Sequence, residues 1–303
     1  MWASLQRRWL ALPGDARGAL WVLIGAVGFS ITAALVKSLG ETLDSFQIAF
    51  FRSVFGLAVL APLVLRAGPA VLRTSVPMLH IGRSLAGATA MMCGFYALTH
   101  LPLATATAVS FTRPLFMIVI AVAFLGEAVR WRRWSATAIG FLGVLIMVRP
   151  GRESLDPAIL VALGQALAAS LAVALIKKMP ADEPHLTVLF YVATVATLAS
   201  LGPALWVWRT PSLGELGLAL AMGVVGVGAQ AAAVRGFRAG EATVVAPFDY
   251  ARLLFAGALG YLLFFEVPDL WTLLGAVVIV VSTVYIAWRD AQLGAPKTGP
   301  APD

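Results

Sequence analysis

The sequence is poor in charged residues and in cysteine. Only 12% of its 303 residues are charged, 60% are hydrophobic, and the mean hydropathy is +0.89. Soluble domains carry about 25% charged residues, so this composition excludes an ordinary soluble protein. The single cysteine, Cys93, excludes a disulfide framework within the chain. The composition predicts an integral membrane protein.

The sequence also lacks the usual signs of catalysis. Its three histidines, His80, His100 and His185, fall at the ends of apolar runs or between them, as ordinary interfacial residues do. We find no glycine-rich phosphate loop, no paired catalytic carboxylates and no Cys/His metal spacing. We therefore predict no catalytic residue, no metal site, no cofactor and no ATP-driven step.

Apolar runs alternate with short charged or Pro/Gly-containing breaks along the whole chain. Runs of about 20 apolar residues are the length needed to cross a bilayer as a helix. The sequence therefore predicts an all-α integral membrane fold with ten transmembrane helices. We place the spans at residues 19–38, 45–65, 76–98, 104–125, 134–148, 158–176, 186–207, 216–234, 242–265 and 270–288.

The placement of lysine and arginine predicts the orientation. With the N-terminus in the cytoplasm, fourteen of these residues fall in cytoplasmic segments and four on the opposite side. Such a bias is typical of multi-pass proteins of the cytoplasmic (inner) membrane. Both termini are then cytoplasmic, and the net charge of +7 needs no nucleic-acid partner. Membrane lipid is the expected surrounding.

The two halves of the chain resemble each other. Residues 103–127 correspond to residues 242–266, and in both an arginine precedes a glutamate by fourteen residues. We predict one repeat at residues 1–152, a second at 153–290, and a disordered cytoplasmic tail at 291–303. Five spans per repeat is an odd number, so the second repeat must enter the membrane inverted, as in many secondary transporters.

Four arginines lie inside or at the edge of spans. Arg52 and Arg83 are near span ends, from which long side chains can reach the interface. Arg113 and Arg252 each lie about ten residues into a span, or ~15 Å deep at 1.5 Å per residue. An arginine at that depth costs about 2.5–3.5 kcal/mol and is expected to face the bundle interior or a wet cavity.

Asp249 is the one acidic residue well inside a predicted span, three residues before Arg252 on the same helix face. The two can form a structural ion pair or a coupling or substrate site. Arg113 either shares Asp249 across the repeat interface or binds an anionic group of a substrate. Further candidates for substrate binding are Ser110, Tyr250, Phe111, Tyr96, Gln165 and Gln230.

Two prolines and two glutamates are candidates for moving parts. Pro114 and Pro247 each remove a helical hydrogen bond, which predicts either simple kinks or hinges beside a cavity. Glu127 and Glu266 end the fourth and ninth spans on opposite sides. They are either gate residues or ordinary solvated carboxylates.

Several stretches resemble one known family. They are "VKSLGETLDSFQIAFFRSVFG" (36–56), "FYALTHLPLATATAVSFTRPLF" (95–116), "FLGE" (124–127), "VAPFDYARLL" (245–254) and "EVPDLWTLLGAVVIVVSTVYI" (266–286). By these stretches the chain resembles the EamA-type branch of the drug/metabolite transporter superfamily. The resemblance implies ten helices in two EamA repeats with cytoplasmic termini. Members of that branch move aromatic amino acids, riboflavin, S-adenosylmethionine or opine-type metallophores. The position of Arg113 is commonly a small residue there.

We therefore expect a secondary transporter of a small organic metabolite that carries an anionic or zwitterionic group and crosses by alternating access. Two arginines and one aspartate at the midplane favour an anionic group. The alternative is a membrane scaffold or an integral-membrane enzyme with a buried Arg/Asp site. Substrate identity, direction of transport, coupling ion and oligomeric state do not follow from the sequence.

Overall fold

The computed structural model describes residues 13–68, 73–125, 131–148, 156–180, 183–240 and 245–294, and within these residues all regular structure is helical. Glu127 and the segment 295–303 of the predicted tail lie outside the described residues. The helices are α1 Gly14–Gly40, α2 Ser45–Ala67, α3 Pro77–His100, α4 Leu103–Ser110, α5 Arg113–Leu125, α6 Trp131–Val148, α7 Pro157–Lys177, α8 His185–Trp206, α9 Leu213–Ala239, α10 Ala251–Phe264 and α11 Leu270–Gly294.

Helix starts follow the local sequence. The Asp44 carboxylate accepts a hydrogen bond from the Phe46 amide at the start of α2 (2.8 Å), and Asp156 does the same at the start of α7. Ser212 and Glu215 form a reciprocal capping box at the start of α9. Each cap satisfies amide groups that a helix leaves unpaired in its first turn.

Hydropathy and length agree with a multi-pass membrane protein. Six stretches are long and apolar enough to cross a bilayer by themselves: Gly14–Gly40, Ser45–Ala67, Leu103–Ile120, Pro157–Ile176, Leu186–Trp206 and Leu213–Gly236. Large apolar side chains such as Leu65 and Leu213 are exposed on the outside of the bundle, where a bilayer would cover them. The predicted all-helical membrane fold is confirmed.

The helices of the two halves pair in a repeated pattern. Spans one and eight (α1 and α9) pack together, and so do spans three and six (α3 and α7). Spans five and ten (α6 and α11) form another pair, as do spans two and seven (α2 and α8). Exchanging each span with the one five places later in the chain reproduces the same set of pairs. The packing is thus two-fold symmetric in its pattern.

Small residues allow two of these pairs to approach closely. A Cβ atom placed on Gly25 of α1 would lie 3.2 Å from the carbonyl oxygen of Ala229 in α9. A Cβ on Gly275 of α11 would lie 2.6 Å from the carbonyl oxygen of Gly143 in α6. The backbones meet at these glycines, as small residues permit in membrane helices.

The fourth predicted span, residues 104–125, is not one helix. Phe111 and Thr112 form a turn between α4 and α5, and Pro114 is the second residue of α5. Of the two alternatives for Pro114, a kink inside a continuous helix is therefore wrong, and a hinge at this position stays a prediction. A proline in the first helical turn sacrifices no internal hydrogen bond, because amides there have no helical partner.

The ninth and tenth spans also differ from the prediction. Residues Ala246–Tyr250, which include Pro247, form a 3-10 turn before α10 begins. Pro247 thus lies in a turn rather than inside a helix. Helix α11 continues to Gly294, so residues 291–294 are helical and not part of a disordered tail.

Candidate functional site

A cavity of about 280 Å³ lies between the two halves of the chain. Helices α1 to α4 of the first half and α7, α9 and α10 of the second contribute to its walls. Phe29, Met91 and Phe95 give it an apolar surface. Its polar lining side chains are Ser30, Thr32, Arg52, Thr107, Ser110, Gln165 and Arg252, so the described lining holds two cations and no carboxylate.

Arg252 is held at the cavity by aromatic rings. Its guanidinium carbon lies 5.5 Å from the centroid of the Phe29 ring and 5.0 Å from that of Phe111. Cations are attracted to ring faces at this distance. Its Nη2 atom is 3.9 Å from Asp249 Oδ2, a long contact, and its buried Nε has no hydrogen-bond partner. The side chain is therefore positioned but incompletely paired.

The turn before α5 and the turn before α10 meet each other. Phe111 and Tyr250 occupy corresponding positions in the two halves, and their ring centroids are 4.7 Å apart. Each ring lies two residues before an arginine, Arg113 or Arg252. The two predicted aromatic residues thus form the contact between the repeats beside the cavity, rather than its lining.

Arg113 lies at this same junction, but its side chain does not line the cavity. Its carbonyl oxygen accepts a hydrogen bond of 2.7 Å from the buried Ser170 hydroxyl of α7. Asp249 and Arg252 are both close enough to act on it electrostatically. No carboxylate of the described residues forms an ion pair with the Arg113 guanidinium. The Arg113 side chain is exposed, and it neither lines the cavity nor forms an ion pair with Asp249.

Arg52 lines the cavity, although its place near a span end allowed its side chain to reach the interface instead. It lies on α2 and forms no ion pair with any carboxylate that the structure describes. A Cβ atom on Gly226 of α9 would lie 3.4 Å from Arg52 Nε and Nη2, so the guanidinium lies against the helix at that glycine. One sequence signal was available: α2 carries no acidic residue three or four positions from Arg52.

The remaining predicted binding residues divide into two groups. Ser110 and Gln165 line the cavity together with Arg252. Tyr96 instead stacks on His100 with ring centroids 3.9 Å apart, and Gln230 is exposed on α9; neither is part of the cavity wall. The structure therefore brings together three of the predicted side chains and adds Arg52.

Glu266 connects three spans at one end of the bundle. Its carboxylate forms an ion pair with Lys37, near the end of α1. It also accepts a hydrogen bond of 2.8 Å from the Leu103 amide at the start of α4. Lys37 Nζ in turn donates to the Leu101 carbonyl oxygen (2.7 Å). Both charged side chains are mostly buried, at 15% and 17% exposure, so Glu266 is not an ordinary solvated carboxylate.

His80 and Glu183 form a second contact between the halves. One further span separates the end of α1 from the start of α3, so this contact lies at the opposite end of the bundle. His80 is fully buried, its Nε2 is 2.8 Å from Glu183 Oε1, and its ring stacks on Tyr191. Hydrogen bonds from Thr74 and His80 hold the pKa of the Glu183 carboxyl below its usual range. His80 is thus buried and paired, unlike the interfacial residue the sequence predicted.

The site contains no group of ligands suited to a metal ion. In the part of the chain that the structure describes, no three His, Cys, Asp or Glu side chains converge. The functional groups that line the cavity are guanidinium, amide, hydroxyl and aromatic groups. Groups of this kind are suited to bind and orient a solute.

Comparison with known sequences identifies one family along nearly the whole chain. The EamA-like transporter family matches twice, at residues 16–149 and 156–288. A solved crystal structure, 21% identical, covers 92% of this chain and 99% of its own with a TM-score of 0.61, which shows a shared fold.

Three similar proteins have named activities. The S-adenosylmethionine uptake transporter of Rickettsia prowazekii (strain Madrid E) is 36% identical over 93% of this chain and 96% of its own. The pseudopaline exporter CntI of Pseudomonas aeruginosa (strain UCBPP-PA14) is 35% identical over 89% and 95%. The riboflavin transporter of Rhizobium johnstonii is 29% identical over 91% and 92%.

Proposed function

The chain belongs to the EamA-like transporter family, and from this premise we propose that it is a secondary transporter of a small organic metabolite with an anionic or zwitterionic group. Transport of a small metabolite is the activity that its named relatives share. Those relatives are transporters and not enzymes, which agrees with the absence of catalytic motifs in the sequence.

One observation supports an anionic group on the substrate: Arg252 faces a cavity that both halves of the chain enclose. A guanidinium within a membrane span costs about 2.5–3.5 kcal/mol unless it is hydrated or paired. Asp249 offsets part of that cost only, because the Arg252 Nη2–Asp249 Oδ2 distance is 3.9 Å, beyond the range of a good charged hydrogen bond. A substrate carboxylate or phosphate would supply the missing partner.

Alternating access is supported by the arrangement of the contacts between halves. The Lys37–Glu266 pair ties the halves at one end of the bundle and the His80–Glu183 pair ties them at the other. A cavity between two such ties can open toward one side when one contact breaks while the other holds. In this proposal Glu266 is a gate residue, and the turns before Arg113 and Arg252 are the flexible points.

The positions of lysine and arginine support an inner-membrane protein with both termini in the cytoplasm and inverted repeats at 1–152 and 153–290. Gradient-driven transport or exchange then supplies the energy, since the sequence has no nucleotide-binding loop. The named relatives take up or export different compounds, so neither direction nor compound is carried over to this chain.

Solute exchange by purified protein tests the proposal. Liposomes containing the protein are loaded with a small-metabolite extract, and solutes that exchange with the outside are identified by mass spectrometry. We expect one or a few anionic or zwitterionic metabolites to exchange, and Arg252→Gln to abolish the exchange. Arg235→Gln is the matched control, because Arg235 also stacks on an aromatic ring, Trp21, but lies outside the cavity lining. Enzymatic turnover without exchange, or unchanged exchange in Arg252→Gln, would contradict it.

A further inference from the structure

The cavity contains a second guanidinium that a substrate with a single anionic group leaves without a partner. Arg52 comes from the first half of the chain and Arg252 from the second, and both line the same walls. Phe29 and Phe111 hold Arg252 in place, whereas Arg52 lies against the bare backbone at Gly226. The two cations therefore approach one space from different helices.

Protein carboxylates do not balance these charges. No carboxylate is among the described lining residues, and Asp249 makes only a long contact of 3.9 Å with the lining residue Arg252. No described carboxylate forms an ion pair with Arg52 or with Arg113. The cavity lining thus holds two guanidinium groups, and one carboxylate makes a long contact with one of them. A partly buried, unpaired charge is costly, and a bound anion removes that cost.

Three of the four hydroxyl groups in the cavity lining already donate their protons to backbone carbonyl oxygens. Ser30 donates its proton to the Ala26 carbonyl oxygen at 2.9 Å, and it also contacts the Arg252 carbonyl oxygen at 3.1 Å. Thr32 and Ser110 donate to carbonyl oxygens of their own helices at 2.9 and 2.6 Å. Toward the cavity these hydroxyls present acceptor lone pairs. The donors left for an anion are therefore the two arginines, the Gln165 amide and the Thr107 hydroxyl.

We infer that the substrate carries two anionic groups, one bound by Arg252 and the second by Arg52. The inference rests on the proposed transport function and specifies the chemical class of its substrate as a compact dicarboxylate or an equivalent dianion. The volume of about 280 Å³ is at the lower end for small-molecule sites, which suits a compact molecule. Phe29 and Phe95 would cover its carbon skeleton.

The test compares diacids with their half-amides, which keep the shape and remove one negative charge. Purified full-length protein is titrated with succinate, glutarate and phthalate, and with succinamate, glutaramate and phthalamate, and binding is measured by the shift in thermal unfolding. We expect at least one diacid to bind about tenfold to a hundredfold more tightly than its half-amide, the range for losing a hydrogen-bonded charge. Arg52→Gln should remove that preference.

Two further variants separate charge from folding. Arg52→Lys keeps the charge but loses the planar donor fork, so it should retain a reduced preference for the diacid. Arg83→Gln removes an arginine that lies within α3 but outside the cavity lining, and it should leave the preference unchanged.

The possible failures are distinguishable. Three results would each overturn the inference of a dianionic substrate. They are equal binding of a diacid and its half-amide, a preference for the diacid that survives Arg52→Gln, and binding of none of the six compounds. The proposed function would still stand if liposomes containing the protein exchanged a metabolite with one anionic group. If those liposomes exchange no solute at all, the proposed function itself fails.

Discussion

Replacing Glu266 by Gln tests the contact that joins three spans at one end of the bundle. The substitution keeps the shape and an acceptor for the Leu103 amide, but it removes the negative charge that faces Lys37. Lys37 would then remain mostly buried with the Leu101 carbonyl oxygen and the Phe264 ring as its partners. A neutral acceptor and a ring compensate an ammonium less well than a carboxylate does.

The expected magnitude follows from the burial of the pair. Exposed ion pairs contribute about 0–1 kcal/mol, and removing one partner of a fully buried pair costs about 3–5 kcal/mol. Exposures of 15% and 17% place Lys37 and Glu266 between these cases. We expect Glu266→Gln to cost about 2 kcal/mol in the free energy of unfolding. The double variant Lys37→Met/Glu266→Gln should lose less than the sum of the two single variants, because it leaves no charge unpaired.

Thermal unfolding in detergent, followed by tryptophan fluorescence, gives the comparison. Glu41→Gln is the matched control. It makes the same chemical change at the same end of the bundle, but Glu41 is exposed just beyond the end of α1. If Glu266→Gln unfolds at the temperature of Glu41→Gln, or if the two single effects are simply additive, the pair does not hold the spans together.

Three other substitutions have definite expected outcomes in the same unfolding assay. Gly275→Ala should destabilise the protein by about 1–3 kcal/mol, because the new Cβ would overlap the backbone of α6. Gly257→Ala is the control and should have no such effect, because a Cβ there meets open space. Equal effects of the two substitutions would refute the close approach of the helices. Glu183→Gln should flatten the acid side of the stability profile: a lowered pKa contributes stability above the ordinary carboxyl range that is lost as pH falls through the native value. An unchanged acid limb would refute that pairing. Ser170→Ala removes the donor to the Arg113 carbonyl oxygen and should lower the free energy of unfolding by about 1 kcal/mol. Thr197→Ala should cost less, because the Thr197 hydroxyl donates to a carbonyl oxygen of its own helix. The reverse order would argue against the contact between α5 and α7.

The fold could largely be predicted from hydropathy. A long apolar segment in lipid must hydrogen-bond its own backbone polar groups, and an α-helix does so. The break at Phe111 and Thr112 could not. Pro114 is compatible either with a kink inside a helix or with the first turn of a new one. In the fold, the break coincides with the contact between the Phe111 and Tyr250 rings. Those contacts join distant parts of the chain and leave no local signal.

The candidate site was predictable in part for the same reason. Depth along the span identified Arg252. The family match confirmed the resemblance that, together with the duplicated halves, supported the transporter prediction. Depth alone did not place Arg52, because an arginine near a span end can extend to the interface or turn into the bundle. Which occurs depends on the helix face that meets α9 at Gly226. Similarly, the pairing of Lys37 with Glu266 could not be predicted, because it depends on the ends of the first and ninth spans meeting in the fold.

Protection of the cavity from alkylation tests most directly whether the transported solute occupies the space between the halves. Ala33 lines the cavity on α1, so Ala33→Cys in a Cys93→Ser background places one reactive thiol there. We predict that a solute exchanged by the wild-type protein slows N-ethylmaleimide labelling of this thiol, and that Arg252→Gln abolishes the protection. Labelling at the same rate with and without saturating solute, in a protein that still exchanges it, would show that the solute does not occupy this cavity.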